Sequence, residues 1–128
     1  MATLSPEQRK LFEGPNLAAV STLGADGGPH VTMAWVDIEG DELVFNSAEH
    51  RGWPKNLRDD PRVAVCVFDR NNWVRNVAVT GRVTSMSTEG AWDHIQHMAH
   101  KYGQTEYKGA TDRVIIRVAV ESSFGYSL

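Results

Sequence analysis

The sequence predicts a mainly β protein, an antiparallel β-barrel with peripheral helices, and three observations predict it. Short apolar runs are separated by turn chemistry of hairpin length, at Ala25-Asp26-Gly27-Gly28-Pro29, at Glu39-Gly40-Asp41 and at Asp69-Arg70-Asn71-Asn72. Helical stretches interrupt the strands without any βαβαβ rhythm, which argues against a doubly wound sheet. The run Val63-Ala64-Val65-Cys66-Val67-Phe68 is apolar on both faces. Such a strand needs a core on one side and a second cover on the other, and in so small a domain a partner subunit is the economical cover.

The elements follow in order. Ser5 suits an N-cap, Pro6 suits the first helical position, and Gln8 three residues on completes a capping box. Leu11 and Phe12 give that helix a small apolar face before Gly14-Pro15 stops it. Leu17 to Leu23, Val31 to Ile38 and Leu43 to Phe45 read as a three-stranded meander. Residues 48–60 turn polar and basic with helical spacing, and Pro54 fits a first turn. After the 63–68 strand, Val74 to Thr84 reads as a long strand with Val77, Val79 and Val83 on one parity, and Gly81 marks a bulge or a close backbone approach. Ser87 or Thr88 is expected to cap the main helix, whose buried stripe is Trp92, Ile95, Ala99 and Tyr102, with Gly103 at its end. Val114, Ile116, Val118 and Val120 share one face of a final strand, and Phe124-Gly125-Tyr126 reads as a short extra edge.

At 128 residues, with 41% hydrophobic and 23% charged residues, the chain is one domain's worth, spanning 1–128. A net charge of −3 argues against nucleic acid as the main partner. One cysteine, Cys66, allows no disulfide within the chain and fits a reducing compartment. Met1 to Glu7 carries neither a basic nor an apolar signal region, and no apolar run approaches the roughly 20 residues of a membrane span. The expected location is the cytoplasm.

Three regions could carry chemistry. In residues 46–62, Arg51 and Lys55 are one helical turn apart, behind the donors Asn46 and Ser47. Backbone N–H groups at a helix start together with two cations suit a phosphate. The same residues could equally form a solvated basic turn paired with Glu49, Asp59 and Asp60. In Pro29 to Trp35, alternation sets His30, Thr32 and Ala34 on one face and Val31, Met33 and Trp35 on the other. Hydroxyl and imidazole could bond a heterocycle while Met33 and Trp35 pack on a planar ring, or the strand could simply have one wet face. Trp73 and Arg75 beside a turn could wall a pocket mouth or cap a hairpin. His94, His97 and His100 drift around a helix rather than converging, so no metal site is expected. No nucleotide-binding glycine motif or nucleophile elbow is present.

Leu17-Ala18-Ala19-Val20-Ser21-Thr22-Leu23 followed by Asp26-Gly27-Gly28-Pro29-His30-Val31-Thr32 resembles the first hairpin of the pyridoxamine 5′-phosphate oxidase-like split-barrel superfamily. Phe45 to Ala48, then Arg51, then Lys55 to Val65 resembles its cofactor segment, and Val79-Thr80-Gly81-Arg82-Val83 and Arg113 to Val118 also fit. The Asn56-Leu57-Arg58-Asp59-Asp60-Pro61-Arg62-Val63 stretch is most similar to the branch that uses coenzyme F420, a deazaflavin. The resemblance implies an antiparallel split β-barrel, homodimeric, with two cofactor sites at the subunit interface. It implies that Arg51 and Lys55 hold the cofactor phosphate, with Asn46, Ser47 and Asn56 beside them. It places His30, Thr32, Met33, Ala34 and Trp35 at the ring, and Trp73 and Arg75 as contributions from the partner. The implied reaction is hydride transfer from reduced deazaflavin to an electron-poor conjugated small molecule such as an enone or lactone. His30 is the one candidate acid. FMN is the alternative cofactor, in an oxidase or flavin reductase, and a non-catalytic flavin- or haem-binding module is the alternative role. Trp53 departs from the pattern, since members often carry Lys there.

Overall fold

Local capping sets the first helix, α1 (Pro6–Glu13). In the computed structural model, which describes residues 3–128, Ser5 Oγ accepts the Gln8 N–H and the Gln8 side chain accepts the Ser5 N–H, the reciprocal box expected. Leu11 and Phe12 are buried, and Gly14 ends the helix. A fully buried phenylalanine is worth about 1.5–3 kcal/mol, enough to dock so short a helix.

The described residues then form seven strands and two more helices: β1 (Ala18–Leu23), β2 (Pro29–Ala34), β3 (Asp37–Glu39), β4 (Glu42–Ala48), α2 (Gly52–Asp59), β5 (Arg62–Asp69), β6 (Asn72–Ser87), α3 (Ala91–Lys101) and β7 (Arg113–Tyr126). The strands pair antiparallel in one sheet, ordered β2-β1-β5-β6-β7-β4-β3. This is the mainly β, split-barrel architecture.

Chain connectivity makes the barrel. β2 and β3 are opposite edges of the sheet, yet only Trp35 and Val36 separate them. Ala34 and Asp37 are three Cα steps apart, at most about 11 Å. Seven flat strands would hold their edges roughly 29 Å apart. The sheet therefore curls until its edges nearly meet, without pairing there.

This corrects the expectation of one strand from Val31 to Ile38. Val36 gives its backbone bonds to α3 instead of to a neighbouring strand. Its N–H donates to the Tyr102 hydroxyl at 3.0 Å, and its carbonyl accepts from Lys101 Nζ at 2.7 Å. The ladder ends where those side chains take over.

Inside the barrel, Val20, Val65, Val67, Val77, Val79, Ile116, Val118 and Val120 pack with Leu43, Phe45 and the α1 face in one core cluster. At Gly81 a Cβ would overlap the Ala119 carbonyl oxygen, and the register shifts between Thr80 and Gly81, so this position is the expected close approach. Two further expectations are corrected. β7 runs unbroken through Phe124-Gly125-Tyr126, paired to β6, rather than ending in a separate edge. α3 starts at Ala91 behind Gly90 in the left-handed region (φ 72°), and no side chain caps it. Its buried face is Ala91, Ile95, Met98 and Ala99. Trp92 lies off that face, 40% exposed, edge-on to Tyr107, because one residue is about 100° around the helix.

Outside the barrel, two cross-strand rows of mostly small side chains cover the middle of the sheet. The paired positions are Met33–Ala19–Cys66–Ala78–Phe124 and Val31–Ser21–Ala64–Thr80–Ser122. Val31, Met33, Phe68 and Phe124 are exposed along this face.

Candidate functional site

A cleft of about 350 Å³ opens beside the β2–β3 crossing. Met33, Ala34 and Trp35 leave β2 along one wall, and Trp35 is stacked on Tyr102 at 5.1 Å between ring centres. Trp53 of α2 forms another wall, held edge-on against Phe45. Asn46, Ile95, Tyr107 and Arg113 lie deeper, and His50 and Arg51 stand at the mouth. A second hollow of about 290 Å³ lies on the far side of Arg51 and Trp53, lined by His30, Thr32, Thr22 and Asn56. Arg51 and Trp53 line both, so the two spaces meet at those side chains.

Local chemistry explains Arg51. It occupies the N-cap of α2 in extended conformation, where its side chain cannot cap the helix. Its Nη2 donates to Thr32 Oγ1 at 3.3 Å across to β2. The neighbouring acids are engaged elsewhere: Glu49 pairs with Arg58, and Asp112 accepts from His50. Arg51 is left a cation with a neutral partner. Asn56 ties α2 to β1 through Thr22 Oγ1 at 3.1 Å.

At the mouth, His50 Nδ1 is 2.7 Å from Asp112 Oδ2, and the His50 backbone N–H donates to the same oxygen at 3.0 Å. The imidazole beside the Asp112 carboxylate holds that carboxyl below its usual range.

The cleft floor is a polar network. Arg113 Nε donates to Asn46 Oδ1 at 2.8 Å, and Nη1 donates to the Tyr107 hydroxyl at 2.8 Å while the guanidinium lies over the Tyr107 ring. Asn46 Nδ2 donates to the Ala91 carbonyl and to His94 Nδ1, which puts the His94 proton on Nε2. Burial pushes the His94 pKa down, consistent with a neutral ring. Burial likewise lowers the proton affinity of Arg113; Tyr107 and the Asp112 carboxylate oppose that shift, and the Arg51 charge adds to it. Two buried donors, Trp53 Nε1 and His94 Nε2, have no partner among the described residues.

The structure brings His30, Thr32, Met33, Ala34, Trp35, Asn46, Arg51 and Asn56 to the two spaces. Ser47 is buried with its hydroxyl on the Ala48 carbonyl, and Lys55 is exposed outside both linings. Trp73 and Arg75 lie at the start of β6, away from the cleft of their own chain. Trp73 is 74% exposed, and Arg75 donates to the Ser127 carbonyl near Glu7 and Asp69. Of the three α3 histidines, His97 and His100 are exposed and His94 is half-buried, bonded to Asn46. Among the described residues no His, Cys, Asp and Glu cluster could hold a metal. No described helix is long and apolar enough to cross a membrane.

Sequence reasoning missed Arg113, Tyr107, His50 and the wall made by Trp53. The signal for Arg113 is weak: it opens the final strand on the parity opposite Val114, a parity it shares with the more exposed Arg117.

The family model described as pyridoxamine 5′-phosphate oxidase matches residues 4–126. A search of curated proteins returned no match. Among solved structures, one titled F420 reductase is similar at 25% identity and TM-score 0.86, covering 94% of this chain and 98% of that one. HupZ of Group A Streptococcus shares the fold at 19% identity and TM-score 0.73, covering 96% and 94%. So does a conserved hypothetical protein of Mycobacterium tuberculosis at 19% identity and TM-score 0.77, covering 98% and 86%.

Proposed function

The chain belongs to the pyridoxamine 5′-phosphate oxidase family, and from that premise we propose that it is a cytoplasmic, homodimeric F420-dependent reductase. The cleft is its cofactor site. The observation that carries the reading is Arg51, a cation without a carboxylate partner at the junction of two hollows walled by Trp35 and Trp53. A flat ring carrying a phosphate fits that donor set: aromatic and thioether walls for the ring, guanidinium for the phosphate. The likeness to an F420 reductase favours a deazaflavin over FMN.

When bound in reduced form, the deazaflavin supplies a hydride to an activated C=C of a conjugated small molecule. The residues of the chain do the rest. Met33, Ala34 and Trp35 orient the ring and shed water from its face. Arg51 would hold the phosphate, with Lys55, exposed on α2 one helical turn away, as the second cation for it. His30 and His50, each lining one of the two spaces, are the candidate groups to return a proton to the substrate carbon next to its carbonyl. The outer face supports the dimeric part of the reading. Val31 belongs both to that face and to the smaller hollow, and Met33 both to the outer row and to the cleft. A second subunit covering the exposed apolar side chains there reaches the rim of both spaces, where Trp73 and Arg75 of the partner would arrive.

Titration of F420 and of FMN into the same preparation tests this, alongside the double variant Arg51→Ala/Lys55→Ala. F420 should bind the parent protein more tightly than FMN, and the double variant should lose at least tenfold with its thermal melt unchanged. Preference for FMN would make the protein the FMN-dependent oxidase or flavin reductase of the alternative reading. Binding of neither would overturn the site.

A further inference from the structure

We propose that Arg113 is a second anion receptor, at the inner end of the cleft, which takes an acidic oxygen on the edge of a planar ligand while Arg51 takes the phosphate at the mouth. The inference rests on the cofactor reading above and adds a second recognised group, an acceptor oxygen on the ring edge, to the phosphate.

The argument starts from cost. Arg113 is 8% exposed, and a guanidinium taken that far out of water is normally matched by a carboxylate. Among the described residues none pairs with it; its bonds go to an amide oxygen and a phenol, both neutral. The adjoining acid, Asp112, is turned to His50. Nε and Nη1 are occupied, which leaves donors of Nη2 without a protein acceptor on a side chain that lines the cleft. The surroundings also hold the group rigid. Tyr107 stacks under it, and Asn46 is oriented by two bonds of its own, to Ala91 and His94. A cation that is buried, fixed in direction and without a directly bonded carboxylate has affinity left for an anion that arrives with the ligand, although Asp112 offsets part of its charge from a distance.

Trp53 supplies an uncharged wall beside Arg51. Arg113 adds a second positive charge to the cleft lining, from a different element and in a more buried position than Arg51. Two cations at different depths read two different ends of one ligand. On a fused ring system, an acidic hydroxyl or an imide carbonyl oxygen is the group with that character.

Ligand pairs with and without the anionic tail separate the two receptors: FMN against riboflavin, which differ by the phosphate alone, and F420 against its ribityl deazaflavin, which lacks the whole phosphate-bearing tail. Binding is read by equilibrium titration, with no turnover required. For Arg113→Gln, affinity for both members of a pair should fall about tenfold to a hundredfold, so the ratio between them stays at its parent value. For Arg51→Ala the phosphate-bearing member alone should weaken, and the ratio should collapse. Arg113→Lys keeps the charge without the fork, and should lose severalfold on both members with the ratio intact. This variant decides the matter if Arg113→Gln fails to fold. Unchanged binding of the phosphate-free ring in the Arg113 variants would overturn the proposal, and so would a collapsed phosphate ratio. Failure of the parent protein to bind any of the four ligands would instead remove the cofactor reading on which this one stands.

Discussion

Deleting one oxygen, by Tyr102→Phe, tests how the barrel edges are held beside the cleft. The Tyr102 hydroxyl accepts the Val36 N–H at 3.0 Å and donates to the Asn16 carbonyl at 2.6 Å. The phenylalanine ring can keep its stacking on Trp35, so the lost atoms are polar ones alone. Val36 is fully buried, and a buried donor left without an acceptor costs about 1–3 kcal/mol. Adding roughly 1 kcal/mol for the Asn16 carbonyl gives about 2–4 kcal/mol, a large fraction of a typical domain's 5–15 kcal/mol. Urea titration should show that loss with an unchanged slope, and the melting temperature should fall by roughly 6–15 °C. There is a pH signature as well. Burial pushes the Tyr102 pKa up to about 12, above the ordinary value near 10. The folded state therefore prefers the neutral phenol, and that stabilisation is complete below pH 10 and is lost as pH rises toward 12. Lys101 is lowered by burial and contributes the opposite slope, but it is common to both proteins and cancels in their difference. A loss under about 0.5 kcal/mol, or parallel stability curves between pH 10 and 12, would refute the view that this hydroxyl is what ends the β2 ladder.

Gly81→Ala places a methyl against the Ala119 carbonyl oxygen and 2.9 Å from Val118 Cγ1, backbone on one side and core on the other. It should cost about 2 kcal/mol or more, read by thermal melt, and an unshifted melt would show that the bulge can open. Phe124→Asp puts a charge on the outer row opposite Ala78. Light scattering should show the proposed dimer of the parent protein converted to monomer in the variant, with the fold kept by circular dichroism; a monomeric parent would overturn the dimer, and an intact dimer in the variant would move the interface to another face. Ser5→Ala removes the acceptor of the Gln8 N–H and should destabilise by about 1 kcal/mol, measured by urea titration.

What could be read from the sequence divides by distance along the chain. The cap of α1, the hairpin turns and the parity of Val114 to Val120 are decided within a few residues, and each stands as expected. Gly81 was legible for a related reason: a glycine inside an apolar strand has few explanations besides a neighbouring backbone. The β2 residues and Arg51 were legible as a local pattern, but the partners that give them meaning were not. Asn46 and Arg113 are 67 positions apart, His50 and Asp112 are 62, and Val36 and Tyr102 are 66. No periodicity within a strand can report that an arginine at one strand's start will lie under a cleft built by another. The single strand expected over Val31–Ile38 failed on the same ground, since its apolar pattern continues through Trp35 and Val36 while its hydrogen bonds do not. α3 supplies the hydroxyl and the ammonium that take those bonds, and α3 also carries Ala91 and His94 to Asn46. One helix thus ends the β2 ladder and orients the cleft floor. Loosening α3 should therefore weaken ligand binding before it unfolds the barrel, and Tyr102→Phe should show that order: affinity falling at temperatures where the far-ultraviolet spectrum is still native.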